Sequence, residues 1–379
     1  RPLHAISTPI ACSTTFRFDT LDDAIAYVES DGDRDDYSRY SNPTLRTAER
    51  RLAELEGAAD AAIVSSGMAA LSTALLALLP AGSHIAWATD CYRPTAQLIH
   101  TTLARWGVES TPFRIDDLDS LRAAIRPGQT RVVFCEAPTN PFLRVPDLAG
   151  LAEVRRAHKG LQWVVDATLA TPFNLQPLAA GADLVVHSAT KYLGGHNDLL
   201  AGVVLGRPGL VQMVRDLRSQ LGPIADPHAA WLLLRGLKSL VPRMRHHNAS
   251  AQRIAEFLDA DPRVARVWYP GLASHPDHAL ASRQMTGFGG LLSFRHHGDL
   301  DGTRRFCDSV RVFQIGASLG GAESLLHPPA VFSWWDLSQP DREREGVPDS
   351  LIRLAVGLED TDDLIADLDQ ALDRIETKE

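Results

Sequence analysis

Between residues 60 and 206, short and mostly apolar runs alternate with stretches of helical period, and this alternation constrains the fold more than any other feature. The runs are Ala61–Val64, His84–Ala88, Val132–Cys135, Trp163–Val165, Leu184–Val186 and Gly202–Leu205. Several are apolar throughout. A strand apolar on both faces has to be covered on both faces, as in a parallel sheet flanked by helices. The spacers Met68–Leu79, Pro94–Trp106, Pro146–His158 and Leu210–Leu221 repeat apolar residues at helical intervals. The pattern predicts an α/β domain with a mainly parallel sheet, whose ligands sit at the carboxyl ends of the strands.

The flanks read differently. Residues 1–43 show little periodicity and include the acidic, turn-rich stretch Asp31-Gly-Asp-Arg-Asp-Asp, so they read as an extended arm. Thr44–Glu56 spaces Leu45, Ala48, Leu52 and Leu55 as a helix does, with Gly57 as its stop. Beyond residue 240 a long helix, Val241–Leu258, leads to strands near Val264–Tyr269, Leu291–Phe294 and Leu351–Ala355. A helix over Thr361–Ile375 closes a smaller α+β domain. The expected division is an arm (1–43), a ligand domain (44–240) and a C-terminal domain (241–379).

Composition narrows the partners. A net charge of −9 argues against nucleic acid or an anionic membrane. No apolar run of about 18 residues is present, and no signal-peptide pattern. The missing initial methionine reads as a trimmed start. Cys12, Cys91, Cys135 and Cys307 lie far apart without a CxxC pair, which argues against zinc and against a disulfide framework. A reducing cytoplasm is the expected compartment.

Only four of the 38 basic residues are lysine: Lys159, Lys191, Lys238 and Lys378. Lysine can lose its proton and act as a nucleophile where arginine cannot. Lys191 stands in Asp183-Leu-Val-Val-His-Ser-Ala-Thr-Lys-Tyr-Leu-Gly-Gly-His-Asn-Asp198, just past the carboxyl end of an apolar run. There it is either a Schiff-base lysine of lowered pKa or a surface loop residue. Ser188 and Thr190 can hydrogen-bond a phosphate. Lys159 and Lys378 read as solvated, Lys238 as structural.

Other residues carry the same ambiguity. Asp166 ends the run Gln162-Trp-Val-Val165. It suits a pyridinium nitrogen, and equally a helix cap or Mg²⁺. Ser65-Ser66-Gly67-Met68 joins a strand to a helix, which makes either a single-phosphate site or a tight turn. It lacks the Walker lysine and the GxGxxG spacing of nucleotide sites. Tyr92 either stacks on a ligand ring or packs in the core. Asn140, in Glu136-Ala-Pro-Thr-Asn-Pro141, either bonds a ligand or shapes a turn. Arg353, inside Leu351-Ile-Arg-Leu-Ala-Val, either pairs with a substrate carboxylate or forms an internal salt bridge.

Taken in order, Tyr37-Ser-Arg39-Tyr-Ser-Asn-Pro43, Ser65-Ser-Gly-Met68, Glu136-Ala-Pro-Thr-Asn-Pro141, Asp166, Ser188-Ala-Thr-Lys191, Ser318-Leu-Gly-Gly and Arg353 resemble the Cys/Met-metabolism family of pyridoxal-phosphate enzymes. The resemblance spans essentially the whole chain. It is nearest to plant-type cystathionine γ-synthase in Asp90-Cys-Tyr-Arg, Pro138-Thr-Asn-Pro-Phe-Leu-Arg144, Gly194-Gly-His-Asn-Asp198, Gln284-Met-Thr-Gly-Phe-Gly-Gly290 and Trp335-Asp-Leu-Ser-Gln339.

The resemblance implies fold type I, aspartate-aminotransferase-like, with pyridoxal 5'-phosphate as cofactor and no metal. It implies a homotetramer of active dimers in which Tyr37 and Arg39 reach the phosphate of the neighbouring subunit. Ser66, Gly67, Met68, Ser188 and Thr190 would hold the phosphate. Tyr92 would stack on the ring, Asp166 would bind its nitrogen and Lys191 would carry the cofactor. Asn140, Ser318 and Arg353 would serve a small L-amino-acid substrate. The implied reaction is γ-replacement on an activated L-homoserine or a related γ-substituted L-amino acid. The alternative is γ-elimination on a sulfur- or halogen-bearing L-amino acid in specialised metabolism. Departures fall around the substrate: Ala317 where several γ-acting relatives carry glutamate, Pro94, Asp36, Ala322, His327-Pro-Pro329 and the bulky Ser333-Trp-Trp335.

Overall fold

The computed structural model describes residues 5–30 and 34–375; Asp31 to Asp33 of the acidic stretch and Lys378 lie outside the described residues. Seven strands form the first sheet: β1 (Asp60–Val64), β2 (His84–Ala88), β3 (Glu109–Phe113), β4 (Thr130–Glu136), β5 (Gln162–Asp166), β6 (Leu184–Ser188) and β7 (Gly202–Gly206). Their spatial order is β1-β7-β6-β5-β4-β2-β3. The five strands from β6 to β3 run parallel, while β7 runs antiparallel to both of its neighbours.

The apolar runs are buried from both sides, as expected. Val165 and Val185 face one helix layer with Leu151 and Val154; Val164, Val186 and Val204 face the other with Leu71 and Leu75. Successive side chains of a strand point to opposite faces, so each run needs apolar residues at every position. β3 is absent from the sequence reading. It is an edge strand, Glu-Ser-Thr-Pro-Phe, exposed at Glu109 and Pro112, and an edge tolerates both the charge and the proline. The segment expected as one helix from Pro94 opens at Leu98–Leu103 into a π-helical turn.

The second sheet comprises β8 (Val264–Trp268), β9 (Leu291–His296), β10 (Gln314–Ile315), β11 (Leu325–His327) and β12 (Leu351–Ala355), ordered β10-β11-β12-β9-β8. All its pairs are antiparallel except β10–β11. Helices Leu240–Asp259 and Thr361–Leu372 cover one face, burying Ile254, Leu258, Leu364 and Leu368 against Leu292, Phe294, Ile352 and Leu354. By the two-residue period, Arg353 points to the opposite face, toward the first sheet.

Residues 5–42 lie outside both sheets. They are not wholly extended: Leu21–Ser30 is a helix. Thr20 and Asp23 start it by reciprocal bonds, Asp23 N–H donating to Thr20 Oγ1 (3.1 Å) and Thr20 N–H to Asp23 Oδ2 (3.2 Å). The segment Thr20-Leu-Asp-Asp23 carries the spacing of a capping box. Leu21 and Val28 remain 76% and 78% exposed. A buried ion pair secures the far side of the first sheet. Arg218 Nη1 donates to Glu49 Oε1 (2.9 Å), which also accepts from the Ile63 N–H (3.0 Å).

Candidate active site

The carboxyl ends of β4, β5 and β6 open onto a cleft of about 380 Å³ between the two sheets. It is lined by Ser66, Gly67, Met68, Tyr92, Asn140, Asp166, Ser188, Thr190, Lys191, Ser318 and Arg353, among others. Sequence positions 66 to 353 thus converge on one cavity. Its size accommodates a small cofactor with an amino acid.

Lys191 follows β6 in a tight turn, its N–H donating to Ser188 O (3.1 Å). Its Nζ donates to Ser318 Oγ at 2.7 Å. Burial, then the positive charge of Arg353, brings its pKa down to about 8. The surface-loop reading is therefore set aside. Ser318 holds that hydroxyl from a backbone at φ +102°, a region a side chain disfavours.

The phosphate-sized end is built by close approach. Ser66 caps helix Gly67–Leu78, its Oγ accepting from Ala69 N–H at 3.0 Å. The first N–H groups of the helix, on Gly67 and Met68, have no partner within it. A Cβ on Gly67 would stand 2.6 Å from Ser188 Cβ, and one on Gly202 only 2.0 Å from Ser66 O. Both glycines are thus required by proximity. Thr190 also lines this cleft, and its Oγ1 bridges the Ala201 backbone, donating to O (3.2 Å) and accepting from N–H (3.0 Å).

At the floor, Glu136 and Asp166 are register partners on parallel strands. Burial pushes both carboxyls up, and the charge of Asp166 raises Glu136 further. Glu136 Oε1 accepts from Tyr92 N–H (2.6 Å), fixing the start of helix Arg93–Gln97. Asp166 Oδ1 accepts from Thr168 N–H (2.9 Å), while Thr168 Oγ1 accepts from Ser188 N–H (2.8 Å). Thr168 ties the aspartate to the lysine's turn and was not singled out from the sequence; Asp166-Ala-Thr168 was its only signal. Among the described residues no cationic side chain forms an ion pair with Asp166, so its carboxylate suits a protonated ring nitrogen.

Arg353 lies on β12 and is 6% exposed. Its Nη2 donates to Ser318 O (2.9 Å) and its Nη1 to Asn140 Oδ1 (3.3 Å). Burial lowers its pKa to about 10. Among the described residues no carboxylate pairs with it, so the internal salt bridge considered from the sequence is absent. A buried guanidinium without a counter-charge is unfavourable until an anion arrives. The outer wall is Leu200, Pro329, Phe332 and Trp334. Arg93, which also lines the cleft, clamps that wall with parallel bonds to Asp336 (2.7 and 2.6 Å) and a further bond to Ser333 O.

Tyr37 and Arg39 do not line this cleft. Arg39 donates to Ser219 O (3.0 Å) and lies over the Tyr40 ring.

Comparison with known proteins matches this arrangement. The family profile described as Cys/Met metabolism PLP-dependent enzyme covers residues 1–373. Cystathionine gamma-synthase 1, chloroplastic, of Nicotiana tabacum is 45% identical over 371 residues, 98% of this chain and 68% of the tobacco protein. The L-methionine gamma-lyase of Pseudomonas putida is 42% identical over 370 residues, 97% of this chain and 92% of its own. The cystathionine gamma synthase of Xanthomonas oryzae pv. oryzae, solved with aminoacrylate and cysteine, superposes with a TM-score of 0.91 at 37% identity, covering 98% of this chain and 94% of that one.

Proposed function

The chain belongs to the Cys/Met metabolism PLP-dependent enzyme family, and on that premise we propose that it catalyses γ-replacement on an activated L-homoserine or a related γ-substituted L-amino acid. The observation that carries this is the Lys191 amine at 2.7 Å from Ser318 Oγ, in a cleft that also holds Asp166 and the unpaired Arg353.

The residues present fit pyridoxal 5'-phosphate. Lys191 would hold its carbonyl carbon, Asp166 its ring nitrogen and Tyr92 its ring face. Ser66, Gly67, Met68, Ser188 and Thr190 would surround its phosphate. When bound, the cofactor supplies the electron sink that lets a bond at Cγ break.

The chain's own residues do the rest. Arg353 takes the α-carboxylate through its free N–H groups, with Asn140 and Ser318 O fixing the guanidinium plane. Lys191 Nζ, part-neutral because its pKa is near 8, would take the Cα proton, pass it on to the bound cofactor and, neutral again, take a Cβ proton. Ser318 Oγ holds that nitrogen near the substrate between transfers. Tyr92 assists proton handling at the cleft mouth.

The second reading, γ-elimination, is favoured by the outer wall. Among the described residues lining the cleft, the carboxylates are Glu136 and Asp166, both at the floor, and Ala317 adds none. No acid therefore stands ready for the ammonium of an incoming amino-acid thiol. The deciding experiment offers O-succinyl-, O-acetyl- and O-phospho-homoserine, cystathionine, methionine and γ-halo amino acids, each with and without cysteine. Condensation with cysteine supports replacement. 2-Oxobutyrate and ammonia without thiol support elimination.

We assign Tyr37 and Arg39 to the phosphate of a neighbouring copy in a homotetramer. The support is their place outside this cleft and the exposed apolar residues Ile6, Leu21 and Val28 on the same segment. We divide the chain at residues 43 and 240, supported by the confinement of β1–β7 to 60–206 and of β8–β12 to 264–355. The proposed compartment is the cytoplasm, with no nucleic-acid or membrane partner. All four cysteines are free, and among the described residues no helix is long and apolar enough to cross a membrane.

A further inference from the structure

Among the described residues lining the cleft, the acidic and basic side chains are Arg93, Glu136, Asp166, Lys191, His327 and Arg353. Glu136 and Asp166 are buried at the floor, and Lys191 and Arg353 serve the cofactor and the α-carboxylate. Burial, then the charge of Arg353, holds the His327 imidazole down at about 3, so that ring is neutral. Arg93 is left as the cation of the outer end.

Arg93 is already engaged. Its Nη1 and Nη2 donate to the two carboxylate oxygens of Asp336 (2.7 and 2.6 Å), and Nη1 also donates to Ser333 O. A bidentate pair is the strong geometry between guanidinium and carboxylate, and it neutralises the charge. An anionic ligand would have to displace Asp336, exchanging one ion pair for another. The rest of the outer lining is apolar: Leu200, Pro329, Phe332 and Trp334. Trp334 packs on the buried cluster of Ala330, Val347 and Leu351. Phe332 stacks on His327, ring centroids 4.6 Å apart. Trp335 lies under Arg342 instead, 54% exposed, and does not line the cleft. A wall of this kind gains by covering an apolar group and loses by stripping water from a charged one.

We infer that the outer cleft selects an uncharged γ-substituent, such as a thioether, a halide or a short acyl ester, over a phosphate or succinate ester. Trp334 is the specificity-determining contact, and Asp336 withholds the Arg93 cation from anionic groups. The inference rests on the reading of Lys191 and Arg353 as the seat of an L-amino acid that loses a group from Cγ.

The experiment measures binding of two amino acids without a γ leaving group to the cofactor-loaded enzyme by titration calorimetry. One is L-norleucine. The other is the phosphonate isostere of O-phospho-L-homoserine, in which a methylene replaces the ester oxygen. The assembled holoenzyme is used throughout, so groups from a neighbouring copy count in every arm. Wild type should bind norleucine about tenfold or more tightly than the phosphonate. Asp336→Asn keeps the shape of the side chain and removes its charge. It should close that gap on the order of tenfold, and the double variant Arg93→Gln/Asp336→Asn should reopen it. Trp334→Ala should weaken norleucine on the order of tenfold and leave the phosphonate little changed. If wild type binds neither ligand and turns over no γ-substituted amino acid, the reading of the site and this inference fall together. If it turns over such substrates yet binds the phosphonate as tightly as norleucine, the reaction stands and the inference is overturned. An Asp336→Asn variant that shifts both ligands equally overturns it too, because a merely structural role predicts that outcome.

Discussion

Replacing Lys191 by methionine should stabilise the cofactor-free protein, and by an amount that depends on pH. The lysine pKa falls from 10.5 to about 8 in the fold. At 1.36 kcal/mol per unit, that shift is a penalty of about 3 kcal/mol on the charged form. Below pH 8 both folded and unfolded chains carry the proton, and the native state bears the whole penalty. Between the two pKa values the native lysine has lost its proton while the unfolded one keeps it, so wild-type stability rises with pH. The penalty is gone above 10.5. The gain from Lys191→Met should therefore be about 3 kcal/mol near neutrality and decline steadily across that window. Urea unfolding of both proteins, cofactor-free and at one protein concentration, measures it. The slope is diagnostic, since methionine adds a pH-independent packing offset. A difference that stays flat with pH, or widens toward high pH, would refute the reasoning. The same shift gives the native enzyme roughly three hundred times more neutral amine at pH 7 than an unperturbed lysine offers.

Other outcomes follow from the same geometry. Gly67→Ala forces a Cβ to within 2.6 Å of Ser188 Cβ. Overpacking of about 1–3 kcal/mol should weaken pyridoxal 5'-phosphate binding roughly ten- to hundredfold by equilibrium dialysis. Asp166→Asn preserves shape and removes the charge from the floor, so kcat should fall on the order of 10²–10³ in a steady-state assay. Glu49→Ala leaves Arg218 buried without its counter-charge and should cost about 3–5 kcal/mol in chemical denaturation. Arg93→Ala frees the Ser333–Asp336 segment. Because Asp336 is 62% exposed, stability should change by less than about 1 kcal/mol while KM rises.

Legibility in the sequence followed burial. The central strands were readable because two covered faces demand apolar residues at every position, as in Trp163–Val165 and Leu184–Val186. β3 was not, since an edge strand keeps only one side dry and Glu-Ser-Thr-Pro-Phe carries no such demand. The helix Leu21–Ser30 was passed over because its apolar residues cover no core of their own chain. Most of the cleft was readable because strand ends announce ligand positions. Thr168 escaped for a different reason. It accepts a bond from Ser188, brought close by sheet pairing 20 residues away along the chain, and no local spacing encodes that.

Ser318 carries a consequence for how such a chain can evolve. Its φ of +102° belongs to glycine, and holding serine there costs about 1–3 kcal/mol. A single Ser318→Gly change would recover much of that energy and would remove the hydroxyl that meets Lys191. Selection for stability alone would therefore discover this substitution early, and with the role proposed for Ser318 turnover would fall with it. On that proposed role, serine kept at 318 against its backbone cost is a mark of selection for chemistry.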